Sequence, residues 1–151
     1  MQNHPKHDED FYGWAMAEAS LLRQGKFNQL DIKNLIEEIE CMGGSEKREL
    51  INRLAELLMH LLKWQFQATL RGHSWIYSIR EQRKQLQIHL KNNPSLKSLI
   101  FPSVVDAYEL AISKAAKETF LDEKTFPQEC PYTFEQLLDQ QFYPESPKIM
   151  A

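Results

Sequence analysis

At 151 residues, with 18 basic and 21 acidic side chains and a net charge of −3, the chain has the length of one domain and is close to neutral. Its 42% apolar and 26% charged content excludes collagen-like and disordered classes, and no apolar run nears the ~20 residues of a membrane span. The opening MQNHPKHDED holds no apolar signal core, so a cytoplasmic location is expected.

Residues 1–7 are polar and expected to fray, leaving a single helical domain over 8–144 and a short tail over 145–151. A first helix is predicted over about 8–24, with three acids at its positive end and Gly25 as its stop. Asp31 is placed to cap a short second helix that Gly43-Gly44 would terminate. Ser45 then reopens the chain into a third helix over about 45–70, broken by Gly72. The fourth is predicted over about 74–91, before Asn92-Asn93-Pro94 stops it. After a short turn near 96–100, Ser103 with Asp106 three residues on reads as a capping-box variant opening a helix to about Thr119. Pro127 and Pro131 mark an extended connector, and Thr133 with Gln136 forms a second capping box for a short C-terminal helix.

No stretch alternates as a strand would; the apolar spacing is helical throughout. Leu50, Leu54, Leu57, Leu58 and Leu61 form one stripe, Trp75, Ile79, Leu86 and Leu90 a second, and Val104, Tyr108, Ala111, Ile112 and Ala115 a third. With Phe11, Trp14 and Leu21 of the first helix, these predict an all-α fold with a four-helix-bundle-like core. On the second helix Ile32, Leu35, Ile36 and Ile39 set the expected buried direction. Cys41 and Cys130 lack the spacing of a redox or metal pair and are expected to be free thiols, with no disulfide.

Charge is segregated. Residues 8–49 hold ten acids and five bases, residues 63–105 seven bases and one acid, and residues 106–145 nine acids and three bases. That pattern suits complementarity between packed helices first and an external polyanion second.

Helical projection isolates a few polar candidates. Asp31 and Glu38 share a flank of the second helix, Asn34 lies toward solvent from it, and Glu37 falls on the far side. His60 points away from the leucine stripe, toward Arg53, Glu56 and Trp64, on what reads as a solvent flank. Arg83 falls inside the apolar arc of the fourth helix, so it must find a carboxylate or carbonyls. One reading is a structural tie, Arg83 or Arg80 bridging to Glu38, Asp31 or Glu37, with Glu38 the first choice. The other is a polar pocket in which Glu38 and His60 hold a divalent metal or move protons. No helix carries a Glu-x-x-His or His-x₃-His pair. His4 and His7 fall in the frayed tail and His73 at a junction. Gly-rich phosphate cradles and serine or cysteine nucleophile signatures are absent, so no cofactor is implied. The basic region 71–84, with Trp75 and Tyr77 among Arg71, Arg80, Arg83 and Lys84, offers a nucleic-acid reading without a helix-turn-helix to support it. A homo-oligomer or protein-interaction module, with the aromatic tail Phe134, Phe142 and Tyr143 as a docking edge, is the leading functional expectation.

The blocks DEDFYGWAMAEASLLRQGKFNQLD (8–31), NLIEEIECMGGSEKREL (34–50), LLMHLLKWQFQ (57–67), HSWIYSIREQR (73–83), NNPSLKSLI (92–100), YELAISKAAKETF (108–120) and FPQECPYTFEQLLDQQFYP (126–144) carry a resemblance. In this order the chain resembles the family called domain of unknown function 29. The resemblance implies one all-helical domain, abundant in cyanobacteria, without an agreed substrate or cofactor. Its recurrent residues match here as Asp31, Asn34, Glu37, Glu38, His60, Lys63, Trp64, Ser74, Trp75, Arg80 and Arg83. At Ala68-Thr69-Leu70 the chain departs from the family pattern, which tends to have a proline and further basic residues, and an anion site there is less expected.

Overall fold

The computed structural model describes residues 4–147. Five α-helices and no strand occur among them: α1 (Phe11–Arg23), α2 (Ile32–Phe66), α3 (His73–Asn92), α4 (Ile100–Thr119) and α5 (Phe134–Leu138). Short 3₁₀ turns occupy Phe27–Gln29, Ala68–Leu70, Pro94–Leu99 and Glu123–Thr125. None of these helices is long and apolar enough to cross a membrane. The chain forms two compact units, Met1–Ser45 and Glu46–Ala151.

In the first unit, α1 starts later than the acid run suggested, because Asp10 rather than Asp8 supplies the cap. Its carboxylate accepts from the Gly13 backbone N–H at 3.0 Å. That carboxylate stands where a Cβ on Gly13 would go, so a side chain there would push the Asp10 cap aside. Gly25, at φ +73°, turns the chain after α1.

The break expected at Gly43-Gly44 does not occur: α2 runs unbroken for 35 residues. Glycine weakens a helix interior by roughly 1 kcal/mol relative to alanine but still donates its N–H, and no proline follows to forbid continuation. The Ser103 capping box is also absent. The helix begins at Ile100, and Ser103 is buried in its first turn with its hydroxyl unpartnered. Thr133 and Gln136 do form the reciprocal capping box that opens α5.

The second unit holds the hydrophobic core. Leu50, Leu54, Leu57, Leu58 and Leu61 of α2, Ile79 and Leu86 of α3, Ala107, Ala111 and Ala115 of α4 and Leu137 of α5 are fully buried. Three of the predicted stripes therefore contribute to one core, which takes leucines from α2 and α3 and alanines from α4. The fourth wall comes from α5 and the connector, through Leu137, Phe126 and Tyr132. Two tyrosines tie this wall down. Tyr108 donates to the Pro127 carbonyl at 2.5 Å, and Tyr132 to the Gln65 side chain at 2.7 Å. Burial pushes the Tyr108 hydroxyl up to about 12 and raises Tyr132 as well, so both remain protonated donors. Charge complementarity appears where the basic middle meets the acidic last third: Lys63 bridges to Glu118 at 2.7 Å.

Candidate functional site

Each unit builds its own polar cluster, and the seven residues singled out from the sequence divide between them. Asp31, Asn34, Glu37 and Glu38 belong to the first unit, and His60, Arg80 and Arg83 to the second.

Asp31 caps α2, and its carboxylate also collects donors from elsewhere in the unit. It accepts from the Trp14 indole at 3.0 Å and from the Asn34 side chain at 2.7 Å. The Asn34 contact, the largest influence, together with the Trp14 contact outweighs burial and holds the Asp31 carboxyl below its ordinary range. Glu18, only 1% exposed, accepts from the Asp31 backbone N–H at 3.0 Å and pairs with His4 at 3.0 Å. This buried glutamate was missed from sequence. Its phase beside Trp14 on α1 was the available signal.

Glu38 meets His7, not Arg83 or His60. The Nε2 of His7 lies 2.7 Å from Glu38 and its Nδ1 2.6 Å from Asp8. So His4 and His7, expected to fray, instead reach back onto α1 and α2, and the rest of that expectation, residues 1–3, lies outside the described residues. A neutral imidazole can donate to one of its two carboxylates; the imidazolium donates to both. The Glu38 contact first, then Asp8, raises the His7 pKa above 6.5. A raised folded-state value adds stability below 6.5 that disappears as the pH climbs through it. Ring-proton NMR should accordingly give His7 a pKa above 6.5 that falls back in Glu38→Gln. An unmoved value in that variant would break the assignment. Glu37 is exposed.

In the second unit Arg83 is fully buried, as helical phase predicted, but no acid of another helix receives it. Its Nε donates to the Leu137 carbonyl at 2.7 Å and its Nη2 to the Gln136 carbonyl at 3.1 Å. These carbonyls end α5, where no further helical turn offers them an N–H, and a cation also suits that negative end. Tyr143 lies beneath the guanidinium, 5.6 Å from its ring centre. A single arginine thus fastens α5 and the aromatic tail to α3.

His60 is not on a solvent flank. Its Nδ1 is buried without a hydrogen-bond partner, and burial, aided by Lys63, lowers its pKa below 6.5. It is a neutral, half-buried histidine. Arg80 is exposed, beside the Tyr77 ring. Arg71 donates to the Trp64 carbonyl at 2.6 Å and stacks on that indole, so Arg71 and Arg83 both serve internal contacts. Arg80 and Lys84 remain exposed in the basic region.

A third grouping was not read from sequence at all. Glu46 and Glu49 on α2 and His89 on α3 bring one ligand-type atom each to within 4.8 Å of one another. His89 sits three residues after Leu86, on the buried face of α3, so its phase marked it.

Besides its polar cluster, the first unit carries a long apolar surface. Ile32, Ile36, Ile39 and Met42 are 52%, 51%, 65% and 69% exposed. The direction expected to be buried on the second helix is therefore largely open; of that set only Leu35 is half-buried.

No curated protein and no solved structure matches the chain. The model of the family described as Domain of unknown function DUF29 matches residues 7–143, and the chain belongs to that family.

Proposed function

We propose that the protein is a non-enzymatic interaction module that pairs with a second copy of itself through the N-terminal half of α2. The observation that carries this reading is the exposed stripe of Ile32, Ile36 and Ile39, with Gly43 in line at its end. These positions, at i, i+4, i+7 and i+11, fall within an arc of about 60° around the helix. Nothing lies within 4 Å of the Cβ position at Gly43, leaving room there for a partner's side chain.

The charges beside the stripe select the occupant. Lys33 and Glu40 are exposed, seven residues apart, and so on one flank. In an antiparallel pair centred between Ile36 and Glu37, Lys33 of each copy faces Glu40 of the other. The two ion pairs arise by symmetry from one helix, as an isologous contact requires.

The affinity should be modest. Completing the burial of Ile32, Ile36, Ile39 and the flanking Met42 yields roughly 1 kcal/mol each, or roughly 8 over two copies. Association costs about 4–15 kcal/mol, so at most about 4 kcal/mol of net binding remains, a dissociation constant on the order of 1 mM or weaker. Sedimentation across a concentration series should show a monomer–dimer equilibrium. Ile36→Glu and Ile39→Glu should each leave a monomer with unchanged melting, since both side chains already face water. Lys33→Glu should weaken pairing several-fold, and adding Glu40→Lys should restore it. A monomer at every concentration, or charge reversal without rescue, would sink the proposal.

A further inference from the structure

From Glu46, Glu49 and His89 we infer a site for a divalent first-row transition-metal ion, tying α2 to α3 independently of any self-association. His89 is 7% exposed, and its Nε2 lies 2.9 Å from the Glu46 backbone carbonyl. A carbonyl only accepts, so Nε2 carries a proton, and in the neutral tautomer the Nδ1 lone pair faces the other way. Nδ1 points toward Glu49 Oε2 at 3.6 Å and Glu46 Oε2 at 3.7 Å. Both distances exceed hydrogen-bonding range, so this nitrogen makes no hydrogen bond to either carboxylate.

The surroundings match what a metal-binding histidine uses. A backbone carbonyl on the far ring nitrogen fixes tautomer and ring orientation. Arg53 holds the other oxygen of Glu49, donating to Oε1 from Nε at 3.0 Å and from Nη2 at 2.6 Å. That leaves Oε2 turned toward His89. Two ligand atoms each ~2.1 Å from one ion stand roughly 3–3.5 Å apart. The His89 pairs, at 3.6 and 3.7 Å, are therefore a few tenths of an ångström from ligand spacing. Rotation of the partly exposed carboxylates, whose oxygens lie within 4.8 Å of one another, would complete the set. Glu46 and Glu49 are one turn apart on α2 and share a face.

One imidazole nitrogen with two carboxylate oxygens suits a borderline ion such as Zn²⁺ better than a soft or a purely oxygen-seeking one. A cavity of about 420 Å³, also lined by Gln85, Asn92 and Asn93, borders the three ligands. Water or a small oxygen ligand has room there to complete the coordination. Sequence spacing hides this site, because two ligands lie on one helix and the third forty residues on.

The test uses the full chain and Zn²⁺ alone. Calorimetric titration should give one equivalent bound with a dissociation constant in the micromolar range, together with a rise in melting temperature. Nitrogen-15 spectra of the histidine rings should move His89 Nδ1 and leave its Nε2 protonated. Glu46→Gln and Glu49→Gln, both on partly exposed side chains, should each weaken binding at least tenfold. They keep the test open should His89→Ala fail to fold. No stoichiometric binding, binding unchanged in the Glu46→Gln/Glu49→Gln double variant, or a shift at another histidine instead would each overturn the assignment.

Discussion

Arg83→Ala should lower the unfolding free energy by about 3–4 kcal/mol, read as a drop in the denaturation midpoint at constant slope. Two losses combine. The Leu137 and Gln136 carbonyls lose their donor in a setting where Arg83 itself has no solvent exposure, and each buried unpaired acceptor costs roughly 1–3 kcal/mol. The truncation also opens a cavity beneath Tyr143 and beside Leu137. Arg83→Met separates the two effects: it refills the volume but donates nothing, and should cost roughly 2 kcal/mol. Arg83→Lys keeps a charge yet cannot present two donors in a fixed fork, so it should not restore the wild-type value. An alanine variant as stable as wild type would mean that α5 docks without this tie.

Trp14→Ala should be comparably damaging, but to the first unit. Trp14 is 3% exposed, packs edge-on against His7 at 4.6 Å and contacts the Phe11 ring at 5.7 Å. Removing so large a buried aromatic costs about 3–5 kcal/mol. Its indole also donates to Asp31, the residue that caps α2, so the loss reaches the helix start as well. Hydrogen exchange should show amide protection falling across α1 and the first turns of α2. Trp14→Phe, which retains most of the volume, should keep the greater part of that protection. Unaltered protection in Trp14→Ala would remove the indole from its place as the centre of this unit.

The all-helical fold was legible because leucine spacing at 3.6 residues has one geometric meaning, and every leucine of the α2 stripe is fully buried. Gly43-Gly44 misled because glycine signals a stop only when the chain beyond it departs from helix; here it continues. The burial of Arg83 was readable for the same reason as that of its neighbour Leu86. Its partners were not, since backbone carbonyls at a helix end leave no trace in side-chain identity. Projection put Ile32, Ile36 and Ile39 on one face but read that face as buried, and it is open. Spacing records which residues share a face and not whether anything covers it. His89 went unread because its ligand partners are set by how α2 and α3 pack, which no local spacing records.

The two thiols differ in a way that turns to practical use. Cys41 is exposed, nine residues after Ile32 and therefore on the opposite side of α2 from the isoleucine stripe. Cys130 is half-buried, its sulfur directed at the Tyr132 carbonyl and its pKa pushed up by burial. Maleimide chemistry requires thiolate and access, so it will mark Cys41 well before Cys130. The native chain thereby carries a selective attachment point for a fluorophore or spin label. A reporter placed there watches the isoleucine face from behind, without an engineered residue and without touching the surface under study.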